Sequence, residues 1–191
     1  MRRRNASEKT ILAFLVGAAT INACNTQTRT VDAAYLKIAA TEAMAHKAGV
    51  NRVTLDTQNS VGFRSYGRST DTGDVSSRAN YLTSRGDVVS EELGGRIHGQ
   101  GLDLNLPQGL RMVWDEEGFY HIIEQGDRVG SLQATFSERD GQLHMEGEYC
   151  RPRTPCRNFG GVYDVDNRFT VTFAPLPGGN AEQITGEMYN R

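Results

Sequence analysis

The chain has 191 residues, with 21 Lys and Arg against 23 Asp and Glu and a formal net charge of −2. So even a balance gives no electrostatic drive toward nucleic acid, whose binding rests on neutralising phosphates, and no nucleic-acid partner is expected. Its 21 glycines and modest aromatic content describe a turn-rich globular body, long enough for one good core or two small ones.

Arg2, Arg3, Arg4 and Lys9 precede a short, mostly apolar run, Ile11 to Ile21, and then Ile21-Asn22-Ala23-Cys24. A cationic start, a short apolar core and small residues before a cut describe a bacterial export signal. The run is shorter than the roughly 20 residues that span a bilayer. Ile21-Asn22-Ala23-Cys24 resembles a bacterial lipobox, which implies cleavage after Ala23 and a thioether-linked diacylglycerol on Cys24. The expected organisation is a signal peptide at 1–23, a tether at 24–30 and one globular domain at 31–191, with a candidate sub-boundary near 86–96. Removing residues 1–23 leaves 17 Lys and Arg against 22 Asp and Glu, a net charge of −5. Membrane attachment then falls to the lipid rather than to charge. Asn25 stands where an aspartate would favour inner-membrane retention, so the lipobox resemblance implies an outer-membrane lipoprotein facing the periplasm. The alternative is an ordinary secretory cut near Ala23 and a free periplasmic or secreted protein.

Val31 to Lys47 predicts a helix: Thr30 can cap it, Asp32 sits in its first turn, and alanine fills it. Gly49 is the expected stop, and Val53 and Leu55 alternate as a strand immediately after. The run YLKIAATEAMAHKAGVNRVTLDTQ (Tyr35–Gln58) resembles a helix–glycine–strand segment that recurs in small bacterial envelope lipoproteins of unknown function. That resemblance implies a cell-envelope location and transfers no catalytic residue. Residues 67–80 are almost wholly small or polar and read as a long surface loop. The other reading of that stretch is a binding loop using Arg68, Arg78 and Arg85.

From Arg96 onward the period becomes two. Leu102, Leu104 and Leu106 alternate with polar residues, as do Leu132, Ala134 and Phe136, then Leu143, Met145, Gly147 and Tyr149, then Phe169, Val171 and Phe173. Each run reads as a strand with one buried face. Between them stand turn signals, of which Asp140-Gly141 is strongest because a type I′ turn needs positive φ at both central residues. With a last strand at 183–189, six to eight strands are expected. The fold class is α+β: one N-terminal helix covering an open face of a mainly antiparallel meander, closed as a barrel or packed as a sandwich.

Cys150 and Cys156 form an even pair in an oxidising compartment and predict a disulfide across Arg151-Pro152-Arg153-Thr154-Pro155. Arg151, Arg153 and Arg157 cluster there and are candidate contacts for a carboxylate-rich or phosphate-rich partner. The four histidines lack metal-ligand spacing, and no nucleophile elbow, P-loop or dinucleotide motif is present, so no catalytic residue, metal or cofactor is expected. The weakest reading is a hydrolase using His98 or His121 with Asp103 or Asp115. Glu146 and Glu148 share a strand face and read as a charged outer surface. The expected function is a membrane-anchored envelope lipoprotein that binds an envelope protein or glycan, or plays a structural part, without catalysis. The alternative is a carrier of a small apolar ligand inside a β-barrel.

Overall fold

The computed structural model describes residues 19–56, 62–83, 85–115, 119–175 and 177–191, with side chains from Ala34 onward, Asp56 excepted. One helix, α1 (Ala19–Ala48), is followed by twelve strands. They are β1 (Arg52–Asp56), β2 (Phe63–Asp71), β3 (Asp74–Leu82), β4 (Val88–His98), β5 (Gly101–Leu106) and β6 (Leu110–Trp114). The second half comprises β7 (Phe119–Glu124), β8 (Asp127–Arg139), β9 (Gln142–Cys150), β10 (Arg157–Tyr163), β11 (Arg168–Phe173) and β12 (Glu182–Tyr189). Every strand pairs antiparallel with its neighbours in sequence, and β1 pairs with β12 to close a barrel, with Arg52 opposite Tyr189. The fold is therefore mostly β, with twelve strands rather than six to eight.

The helix does not cover an open face. It runs inside the closed barrel, and every residue from Ala34 to Ala45 is buried. Size makes this possible. Twelve tilted strands about 4.8 Å apart enclose roughly 24 Å between opposite backbones, which accommodates a helix about 10–12 Å across plus one layer of wall side chains. Ala34, Ala39, Ala40, Ala43 and Ala45 keep the helix slim. The wall answers with residues of alternating size, as tapered barrels do. Gly161, for example, faces the methyl groups of Met44 and Met145, and an added Cβ would lie 3.2 and 3.1 Å from them. Gly49, at φ 65°, ends α1 as expected: its N–H donates to the His46 carbonyl and the Val50 N–H to that of Ala45, a Schellman closure.

Most inward residues are apolar and most outward ones polar. On β8, Leu132 points in while Gln133, Thr135 and Ser137 point out. On β12, Ile184 and Met188 point in while Gln183, Thr185 and Glu187 point out. A membrane-spanning barrel carries the opposite arrangement, an apolar band outside. Arg78–Glu92 and Arg96–Asp74 are direct cross-strand ion pairs on this outer wall. No helix among the described residues is long and apolar enough to cross a membrane.

The stretch 67–80 is not a surface loop. It forms most of the β2–β3 hairpin, turned by Thr72 and Gly73 at positive φ. Its inward positions hold Arg68, Val75, Ser77 and Ala79, all buried, so small and charged residues face the helix where apolar ones were looked for. Asp140-Gly141 adopts positive φ at both residues and joins β8 to β9, as the turn chemistry predicted. Residues 1–18 of the expected signal peptide lie outside the described residues, as does the Cys24 side chain. Residues 24–30, read as a tether, lie within the span of α1, where the backbone alone is described.

Candidate functional site

Two polar attachments fix the helix in the lumen. Glu42 forms an ion pair with Arg68 on β2 at 3.1 Å, both side chains being fully buried. The Tyr66 hydroxyl donates to the same carboxylate at 2.8 Å, and Arg68 also donates to the Val50 carbonyl and to Thr70 Oγ1. Toward the other end of the helix Lys37 pairs with Glu182 on β12, which also receives Arg157 Nη2 from β10 at 3.1 Å. Burial pushes the Glu182 carboxyl up, but Lys37 and then Arg157 outweigh burial and hold it below the ordinary carboxylate range. Two residues earlier, the Tyr35 hydroxyl meets that of Tyr149 on β9, with the rings edge-on at 5.7 Å.

Strand direction sorts these features into two barrel mouths. α1 enters at the mouth where β9 ends, beside Tyr149 and the Cys150–Cys156 loop, and its last turn reaches the opposite mouth. Cys150 and Cys156 are bonded, with sulfurs 2.02 Å apart. The three arginines around them do not form one presented tip. Arg153 is exposed at φ 65° and Arg151 is half-buried. Arg157 is buried, donating to the Ala174 carbonyl and lying 5.4 Å from the centre of the Phe173 ring.

At the opposite mouth the last turn of α1 stops short of part of the rim and leaves a cleft of about 560 Å³. Ala45, His46, Lys47 and Val50 form one side. Ile97, Gln100, Trp114, Tyr120, Ala134 and Phe136, from β4 through β8, form the other. The β8–β9 hairpin is long, so Ala134 and Phe136 lie on strand that outruns the six-residue β7 and heightens the wall. His46 joins the two sides. Its Nδ1 lies 3.2 Å from the Tyr120 hydroxyl, its ring packs edge-on against Trp114 at 5.3 Å, and it hydrogen-bonds the Gln100 main chain. Burial lowers the His46 pKa, the Gln100 carbonyl opposing it only in part, so the ring is held neutral near pH 7. A neutral ring that donates its one N–H to Gln100 has Nδ1 free to accept a hydrogen bond from the Tyr120 hydroxyl. Burial keeps Tyr120 protonated, and the nearby Glu42 charge acts in the same direction.

Of the histidine–carboxylate combinations considered for hydrolysis, the fold assembles one. His121 Nε2 lies 2.5 Å from Asp115 Oδ2, and the Phe119 N–H donates to Asp115 Oδ1. The free His121 Nδ1 is buried without a partner among the described residues, so it is closed to a substrate, and the pair ties down the β6–β7 connection. Asp103 instead pairs with Arg111, and His98 is exposed on the outer wall. Glu146 and Glu148 are exposed on the outer face of β9, as the alternation indicated. Glu148, Cys150 and Cys156 are close enough to share an ion, but both sulfurs are already committed to each other.

The aromatic cleft itself was not anticipated from the sequence. Of its aromatic residues the alternation marks only Phe136, as a strand position, and the convergence of Trp114, Tyr120 and Phe136 with His46 depends on the helix ending inside the barrel. Comparison with protein families, curated proteins and solved structures finds no match to this chain.

Proposed function

We propose that the protein is an envelope lipoprotein, anchored through a diacylglycerol on Cys24, whose barrel acts as a non-enzymatic binding module and whose recognition site is the cleft beside His46. The observation that supports this most is the pairing of a filled lumen with an open, aromatic-walled cleft at the mouth opposite the one by which α1 enters. Pockets of this size with apolar walls and a few polar groups are the usual form of a binding site. The arrangement also suits an anchor. Cys24 precedes Ala34 by ten residues, about 15 Å of helix, on the entry side. A lipid there would hold the entry mouth toward the bilayer and the cleft toward the periplasm. An outer-membrane position and an envelope protein or glycan partner belong to the same reading. A carrier with its ligand in the lumen is supported less, because among the described residues α1 and the wall side chains packed on it occupy that space.

Mass spectrometry of the N-terminal peptide from native membranes tests the anchor: a diacylglycerol adduct on Cys24 supports it, and an unmodified chain starting near residue 24 refutes it. A photo-crosslinking residue at Phe136, compared with one at Thr185 on the outer wall, tests the site. Specific adducts from position 136 alone support it, and equal or absent labelling counts against it.

A further inference from the structure

The lining of the cleft narrows the chemistry of what it takes. Its far wall is apolar and aromatic: Ile97, Trp114, Tyr120, Ala134 and Phe136. Most of its polar groups are already engaged. His46 is bonded to Tyr120 and to the Gln100 carbonyl, Thr70 Oγ1 accepts from Arg68, and the Asn51 side chain bonds both the N–H and the carbonyl of Arg191. Two side chains remain at the rim with donors to offer, the Lys47 ammonium and the Gln100 amide. Lys47 is the only formally charged side chain lining the cleft among the described residues. The C-terminal pole of α1 opposes an anion there, but it amounts to about half an elementary charge against a full one on the ammonium, and its carbonyls at Ala45 and His46 are capped.

We infer that the cleft binds a small amphiphilic monoanion, an apolar or aromatic body lying against Trp114, Tyr120 and Phe136 with its carboxylate or comparable acidic head at Lys47 and Gln100. This rests on the reading of the cleft as the recognition site and gives that site its ligand class. Two sources carry the same chemistry: a free fatty acid, and the terminal carboxylate of a peptide ending in an apolar side chain.

Trp114 is the single tryptophan of the chain and lines the cleft, so its emission reports on this site alone. The purified full-length protein would be titrated with decanoate, with 1-decanol, and with a short peptide ending in Leu-Phe as free acid and as amide. Saturable shifts of Trp114 emission are expected with the acids, and about two- to fivefold weaker binding with the neutral partners, the range of an exposed ion pair. Lys47→Gln, an exposed substitution that leaves the core untouched, should abolish the preference for acid over neutral ligand. Response to decanoate alone assigns a free amphiphile, and response to the peptide acid assigns a chain terminus. Equal affinity for acid and neutral forms in the unsubstituted protein, or no saturable shift with either acid, overturns the inference. If the acids fail while crosslinking from position 136 still captures a partner, the ligand class falls and the binding module stands. If both fail, the cleft is not the recognition site.

Discussion

Breaking the Glu42–Arg68 pair is the sharpest test of a helix held inside the wall. Glu42→Leu leaves a fully buried guanidinium facing no carboxylate, and Arg68→Met leaves the converse charge. Removing one partner of a buried pair costs about 3–5 kcal/mol, because the survivor is desolvated without compensation. Two independent losses would sum to about 6–10 kcal/mol, as much as the whole stability of many domains. The double variant should lose far less. It removes both charges and leaves only hydrogen-bond debts, chiefly the Tyr66 hydroxyl and the Val50 carbonyl, at about 1–3 kcal/mol each. At the midpoints of these ranges the expected coupling is about 4 kcal/mol, with the double variant costing about as much as one single variant rather than their sum. Urea unfolding followed by far-ultraviolet circular dichroism and Trp114 emission would measure it, and coincident transitions would license the two-state treatment. Added salt should leave the differences unchanged, since buried charges are poorly screened. Additive losses, or a cost below about 1 kcal/mol for either single change, would mean that the helix is not seated in the lumen as described.

Further outcomes follow from other contacts. Reducing the Cys150–Cys156 bridge, or replacing both cysteines by alanine, should cost about 2 kcal/mol in urea unfolding, as expected for so short a loop, and leave circular dichroism unchanged. Gly147→Ala should cost about 1–3 kcal/mol, since its Cβ would fall 2.4 Å from the Gln133 carbonyl oxygen and 2.5 Å from Phe159 Cζ; a neutral result would place β9 in a different register. The His46 pKa is depressed in the folded state, so the unfolded chain binds more protons as pH falls through the ordinary histidine range toward that lowered value. Stability should decline over that window, and His46→Asn should flatten this part of the pH profile of unfolding. Glu182 adds a second acid loss at lower pH: its depressed pKa stabilises the fold above the usual carboxylate range, and that contribution disappears as pH falls through the folded value. Glu182→Gln should remove it.

The wall was legible wherever inward positions are large and apolar. Leu102, Leu104 and Leu106, or Phe169, Val171 and Phe173, announce a strand because each packs against the core. β2 and β3 were hidden because their inward residues are fitted to the helix: Ser77 and Ala79 make room, and Arg68 answers Glu42. The placement of α1 left a trace that a single-faced reading passed over. Between Ala34 and Ala45 only Lys37, Thr41 and Glu42 are polar, and a helix apolar nearly all round belongs in an interior. The partners of Lys37 and Glu42 lie 145 and 26 residues away, and no local pattern connects them. The cleft was illegible for the same reason, since it is the space left where a threaded helix ends.

Threading also sets the order in which this molecule can be made. α1 is synthesised before the wall, yet it has nowhere to go until β1 finds β12 across more than 130 residues of chain. Pairings of that span carry a high loop-closure cost and slow folding. Until closure, an alanine-rich helix bearing two charges destined for a dry interior must wait in water beside a growing, unpaired sheet edge. A chain cut short before Glu182 would lack both its closing strand and the counter-charge of Lys37, so assembly is all-or-none. Such a chain matures only once its last residues have arrived.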